Sequence, residues 1–330
     1  MQFDVFGIEN PLIDLLVQVP EEFLERMELK KNHMMLIDER RHEFLLDQLE
    51  GMRVQTEPGG SCANTLLGIA QLGGRSAYCG KVGHDANGQA YIDKLEEAGV
   101  TSFIRADGSR TGSTVILVTP DAARTMNTFL GASQELSAAD IPLAALKASR
   151  LLYITGYLWD TEGQQEAATL ALRTAGGEGI HVAMSLSDPY CVRRHKEAFL
   201  DILDRYVDLV FANREEALEL TGTDSTHAAM LALRRWCGGA AITLGGSGAF
   251  VTRGDEHAYL DPYPVKPVDT TGAGDSFAAG FLYGVTTGAS LFQCGRLGSY
   301  LASRVIVQTG PRLQGDVRAT LAPVLDDPRP

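Results

Sequence analysis

LLYITG (151–156), HVAMSL (181–186), DLVFAN (208–213) and AAITLG (240–245) are four short apolar runs of nearly equal length. Each is followed by a turn, and usually by a stretch with helical spacing. Buried runs of this length, separated by amphipathic helices, are the rhythm of a parallel sheet with helices on both faces. The same rhythm extends toward the N-terminus. FDVFGI (3–8) and RSAYCG (75–80) read as strands, and GGSCANTLLGIAQLGG (59–74) and DANGQAYIDKLEEAG (85–99) as turns opening into helices. The predicted fold is α/β, with a mostly parallel central sheet.

Two regions break the rhythm. RTGSTVILVTPDAARTMNTFLG (110–131) has two β-rich halves around TPDAA, a hairpin signal without a crossover helix. LIDLLVQV (12–19) is another strand, more polar than the core runs. Segments at about 12–37 and 101–131 are therefore expected to pair as a small β lid over the strand ends, where open α/β sheets bind ligands. Residues 1–330 are expected to form one domain carrying that lid.

Composition narrows the classes. Hydrophobic residues make up 45% and charged residues 22% of 330, an ordinary globular balance. The formal net charge of −13 argues against a nucleic-acid-coating surface, which needs a basic patch. Cys62, Cys79, Cys191, Cys237 and Cys294 are an odd, scattered set with no C-x-x-C pair, so a disulfide framework and a zinc cluster are not expected. No apolar run approaches a membrane span, and the first residues lack a basic stretch before an apolar one. The expectation is a cytoplasmic protein without a membrane or nucleic-acid partner, either a monomer or a homodimer.

Five short motifs carry candidate chemistry. In VDTTGAGDSFAAGF (268–281), Gly272, Ala273 and Gly274 stand directly before a helix, where unpaired N–H groups and the helix dipole favour an anion. Asp275 on the first turn is placed to take a proton from an attacking hydroxyl. The same residues also make a plain Gly-rich turn with a dipole-favoured acid. In PGGSCANT (58–65), Gly59 and Gly60 allow close backbone approach and Asn64 offers an amide to sugar hydroxyls; a turn with Ser61 as N-cap is the alternative. In ANREEA (212–217), Asn213 and Glu216 suit a Mg²⁺ hydration shell or, equally, a helix cap. TLGGSGA (243–249), with Thr243, Gly245 and Gly248, suits a nucleotide close to backbone, or a hairpin. Asp14 is an odd acid in an apolar strand, facing solvent or binding vicinal hydroxyls. There is no G-x-x-x-x-G-K-[ST], G-x-S-x-G or H-E-x-x-H.

In this order and spacing, GGSCANTLLGIAQLGG and DTTGAGDSFAAGFLYG resemble the two signatures of the pfkB, or ribokinase-like, family of carbohydrate and nucleoside kinases. GIENPLID (7–14) and FLERMELKKNHMMLIDERRHEFLLDQL (23–49) resemble its adenosine kinase branch. TPDAARTMNTFLGAS (119–133) and GYLWD (156–160) are similar to bacterial members called adenosine or sugar kinases. The resemblance implies a ribokinase-like fold and transfer of the ATP γ-phosphate, with Mg²⁺, to the 5′-hydroxyl of a nucleoside, adenosine first. The alternative it implies is a free sugar such as ribose, fructose or 2-keto-3-deoxygluconate; a silent nucleoside-binding sensor is the remaining reading.

It further implies Asp275 as catalytic base, an anion hole from Gly272, Ala273 and Gly274, and sugar contacts from Asp14, Gly60 and Asn64. It places Asn213 and Glu216 near Mg²⁺ and phosphate, and Thr243, Gly245 and Gly248 at ATP. Asp269 and Thr271 fall near a monovalent-cation loop, so K⁺ joins the expected cofactors. Arg124 would meet a phosphate, and Met126, Phe129 and Leu130 would offer a base an apolar slot unless they fill the lid core.

Overall fold

The computed structural model describes residues 1–121, 123–321 and 324. Ala122, in the TPDAA turn, and most of the final residues lie outside the described set. Among the described residues, nine strands form one sheet in the order Glu256–Leu260, Ala249–Arg253, Gly239–Thr243, Leu209–Asn213, His181–Ser185, Ser149–Thr155, Phe3–Ile8, Ser76–Val82, Thr101–Ala106. The pairings from Gly239–Thr243 to Thr101–Ala106 are all parallel, and only the hairpin strands at the other edge run antiparallel.

Alternate residues feed two cores, as the pleat requires. Val5, Leu151 and Tyr153 pack on one face with Leu66, Phe277 and Leu297 from helices Ser61–Gln71, Ala273–Thr287 and Leu291–Val305. Phe6, Leu152 and Ile154 pack on the other, with Leu172, Phe199 and Leu233 from helices Glu162–Glu178, Pro189–Arg205 and Thr226–Trp236. Near-continuous apolar runs are what burial on both faces demands, and that is why those strands were readable in the sequence.

A second sheet has the order Met34–Leu36, Arg124–Gly131, Thr111–Val118, Ile13–Gln18, Val54–Pro58. Its membership differs from the expected 12–37 and 101–131. Thr101–Ala106 instead extends the large sheet beside Ser76–Val82, because its crossover from helix Ala86–Glu97 returns it there. Val54–Pro58, an edge strand exposed along most of its length, was not foreseen. Val17, Val115 and Leu117 turn one way, onto helices Glu21–Arg26 and Glu39–Gln48. Thr114 and Ile116, one residue out of phase, turn the other way, toward the large sheet.

Candidate active site

A cavity of about 350 Å³ lies between the two sheets. Glu9, Asn10, Tyr157, Asp160 and Ser187 reach it from just beyond the carboxyl ends of three parallel strands. The small sheet covers it with Asp14, Thr114, Ile116, Arg124, Met126, Thr128 and Leu130, and Met34 and Leu36 close one side. Gly60, Ser61 and Asn64, at the start of one helix, and Thr270, Thr271 and Asp275, at the start of another, meet at its floor.

The two helix starts are built differently from ordinary capped ones. Gly272 is the N-cap of Ala273–Thr287 with φ +73°, a region disfavoured for side-chain-bearing residues. A Cβ there would also collide with the Pro311 carbonyl oxygen. Having no side chain, Gly272 caps nothing. Among the described residues, the N–H groups of Gly272, Gly274 and Asp275 have no acceptor, and only Ala273 reaches back, to Thr270. Three donors at a helix N-terminus are thus left for an anion.

Asp275 turns its carboxyl away from its own helix. Oδ1 accepts the Ser61 hydroxyl at 2.5 Å and Oδ2 accepts the Asn64 side-chain amide at 2.9 Å. Burial raises its pKa to about 6, against the lowering effect of those two donors. Ser61 therefore serves Asp275 and is not the N-cap, which is Gly60.

Other acids surround it. Glu9, 1% exposed, accepts the Thr155 hydroxyl at 2.7 Å and the Cys62 N–H at 2.9 Å. Burial lifts it to about 8. Asp14 faces the cavity and not solvent; burial raises it to about 7, offset by the charges of Arg312 and Arg124. Gly59 lies so close to Asp14 that a Cβ would strike its carboxyl. Three buried carboxyls around one cavity offer acceptors to the hydroxyl groups of a ligand.

The remaining expected residues are placed as follows. Asn213 and Thr243 stand side by side at the carboxyl ends of adjacent strands, with Gly245 and Gly248 bounding the turn that follows. None of these four lines the cavity. Glu216 caps its own helix: its Oε2 accepts the Asn213 N–H at 2.9 Å, its Oε1 the Asn213 amide, and its own N–H donates to Asn213 Oδ1 at 2.9 Å. This is a capping box, in which each Glu216 carboxyl oxygen accepts one hydrogen bond and keeps a second lone pair. Burial raises Glu216 to about 7.

Asp269 accepts the Thr271 N–H and hydroxyl, the Gly310 N–H and the Arg124 guanidinium. A carboxylate holding a guanidinium at 2.5 Å does not fit a K⁺ site, and Arg124 makes this bond while also lining the cavity. Phe129 is corrected too. It points away from the cavity, 5.1 Å from the His42 ring and under Arg110, while Met126 and Leu130, one step out of phase, line the cavity. Among the described residues, no three His, Cys, Asp or Glu side chains cluster as a metal site.

Glu9, Thr155, Asp160 and Arg312 were missed. Glu9 and Asp160 lie within the quoted GIENPLID and GYLWD, where an acid closely following an apolar strand is a usable signal; Thr155 and Arg312 join them only through the fold.

An open Gly-rich helix start beside a buried acid, at the carboxyl ends of a parallel sheet, suits transfer of a phosphoryl group to a hydroxyl. Residues 32–316 match the model of the pfkB family of carbohydrate kinases. The chain belongs to that family and is an ATP-dependent kinase with the ribokinase-like fold. It is 39% identical to the adenosine kinase of Sinorhizobium meliloti, with a TM-score of 0.91 over 97% of this chain and 98% of that one. It is 38% identical to a probable sugar kinase of Rhizobium etli CFN 42, with the same TM-score and coverage. The adenosine kinase of Saccharomyces cerevisiae is 28% identical, covering 92% of this chain and 94% of its own. Among the described residues, no helix is long and apolar enough to cross a membrane.

Proposed function

We propose that the chain transfers the γ-phosphoryl group of ATP to the 5′-hydroxyl of adenosine, giving AMP and ADP. The observation that carries the acceptor is the two-sided cavity. Asp14 from the cover and Asn64 and Asp275 from the floor form a polar side suited to ribose hydroxyls, and Met34, Leu36, Ile116, Met126 and Leu130 form an apolar wall suited to a flat base. The likeness to the S. meliloti adenosine kinase supports the same reading.

In this scheme Asp275, ionised above pH about 6, accepts the proton of the 5′-hydroxyl as that oxygen forms its bond to the γ-phosphorus. The bond from the γ-phosphorus to the β,γ-bridging oxygen breaks, and ADP leaves with the bond pair. The free N–H groups of Gly272, Gly274 and Asp275 take the charge on the transferring group, which is where preorganised donors act. Asn213, Thr243, Gly245 and Gly248 form the shelf along which ATP reaches the site. Mg²⁺ supplies charge neutralisation on the phosphates when bound with ATP. Burial of the acceptor under the small sheet keeps water from the γ-phosphoryl group.

The R. etli relative called a probable sugar kinase keeps a second reading in play, with the same chemistry on a free sugar. A phosphotransfer screen separates them: Mg-ATP with adenosine, inosine, guanosine, cytidine, ribose, fructose or 2-keto-3-deoxygluconate, read by mass spectrometry. AMP from adenosine with unreacted sugars is the expected result. A sugar phosphate with untouched nucleosides would overturn the acceptor and keep the mechanism. Adenosine binding with no phosphorylated product in any well would mean a sensor.

A further inference from the structure

Arg312 lies beyond the last long helix, in a segment without regular structure that touches three parts of the active-site floor. The Gly310 N–H donates to Asp269 at 2.9 Å, and the Pro311 carbonyl packs over Gly272. Arg312 Nε donates to Asn64 Oδ1 at 3.3 Å. Just beyond, the Leu313 carbonyl accepts the Gln71 side-chain amide at 3.0 Å, pinning the segment to helix Ser61–Gln71.

We infer that Arg312 is a positioning residue for phosphoryl transfer, locking the Asn64 amide so that its NH₂ group faces Asp275. The inference rests on Asp275 being the base. Its chemistry is one-directional. A guanidinium only donates, so the Asn64 atom beside it must be the oxygen, and the NH₂ group is then the end that meets Asp275 Oδ2 at 2.9 Å. A flipped amide would set its oxygen against a carboxylate oxygen and against no donor from Arg312. Ser61 on Oδ1 and Asn64 on Oδ2 then leave each carboxyl oxygen one lone pair free for the acceptor's proton.

Glu9, Asp14, Cys62 and Tyr153 also face Asp275 electrostatically, and only the Arg312 path runs through a hydrogen-bonded amide. The guanidinium additionally balances Asp14 and Glu57. Loss of the lock raises the Asp275 pKa, because the donor that favours its charged form turns away.

The test measures kcat from pH 5 to 9, with the acceptor that turns over, for the full chain and for Arg312→Gln and Arg312→Lys, each with Asn64 intact or as Asn64→Ala. Arg312→Gln is expected to lose ~10- to 100-fold in kcat, as misplaced catalytic groups do. Its acidic limb is expected to move up by about one pH unit. Arg312→Lys, which keeps charge and a donor, is expected to recover part of both. With Asn64→Ala in place, changing Arg312 is expected to add no further shift of the limb.

The side-chain amide resonance of Asn64, identified by its loss in Asn64→Ala, is expected to move in either Arg312 variant and in Asp275→Asn. An unmoved acidic limb with lowered thermal stability would reduce Arg312 to a structural residue. A full shift in the Asn64→Ala background would overturn the path through the amide. Should Arg312→Gln not fold, Arg312→Lys and the amide resonance decide. Full turnover in Asp275→Asn would instead remove the base reading, leaving the amide resonance to report the Arg312–Asn64 lock by itself.

Discussion

Two helix starts on the large sheet place an acid at the same third position and use it in opposite ways. In Arg214–Thr221 the N-cap is Asn213, whose side chain accepts the Glu216 N–H while Glu216 reaches back to Asn213. In Ala273–Thr287 the N-cap is Gly272, which has no side chain to offer. Its N–H groups stay open, and Asp275 leaves its own helix for Ser61 and Asn64. An N-cap side chain converts a helix start into a self-satisfied joint. Its removal leaves donors for a ligand and an acid for chemistry. The start of Ser61–Gln71 is intermediate: Gly60 caps nothing, and Glu9, just beyond the strand Phe3–Ile8, accepts the Cys62 N–H in its place.

The largest expected effect is at the open start. Asp275→Asn should lower kcat by ~10²–10⁴-fold with acceptor affinity nearly kept, measured by steady-state rates and calorimetric binding. Gly272→Ala forces a side chain into positive φ against Pro311, so turnover should drop by ~10²-fold, as for loss of an oxyanion donor. Stability should also fall by roughly 1–3 kcal/mol in denaturant titration.

At the closed start the pattern should reverse. Glu216→Ala should cost about 1 kcal/mol of stability and leave kcat within about twofold. If its chief effect were instead a higher Mg²⁺ requirement for turnover, the contrast between the two starts would collapse.

The smallest effect concerns the remotely capped start. Glu9 has a folded pKa of about 8 against an ordinary 4.5, so between those values the folded state binds more protons than the unfolded one. Stability from this group is full below about 4.5 and is lost as pH rises through 8. Glu9→Gln removes that titration, so the fall in Tm between pH 5 and 8 should become shallower by ~2 °C or more. An unchanged slope would mean Glu9 is already ionised in the fold.

The parallel strands and both Gly-rich helix starts were legible because their signals are local: continuous apolar runs of strand length, and glycines directly before a helical pattern. What stayed hidden depends on pairing. Thr101–Ala106 and Thr111–Val118 are both β-like, and no local feature says that the first joins the large sheet and the second the small one. Phe129 and Met126 share a strand three residues apart, so they fall on opposite faces. Read from sequence, Phe129 groups with Met126 and Leu130 in one slot, because no local signal says which face of the strand meets the cavity. Arg124 on Asp269 and Arg312 on Asn64 join residues more than a hundred positions apart. The acids Glu216 and Asp275 look alike in sequence, and the deciding difference is the residue three positions earlier, Asn213 or Gly272.

The most direct test of that difference is the pH dependence of kcat at saturating Mg-ATP and acceptor, in the parent chain and in Asp275→Asn. The account predicts a rise through pH about 6 in the parent, where the open-start acid ionises, and a low, flat profile over the same range in the variant. The same limb persisting in Asp275→Asn would place the proton acceptor elsewhere and contradict it.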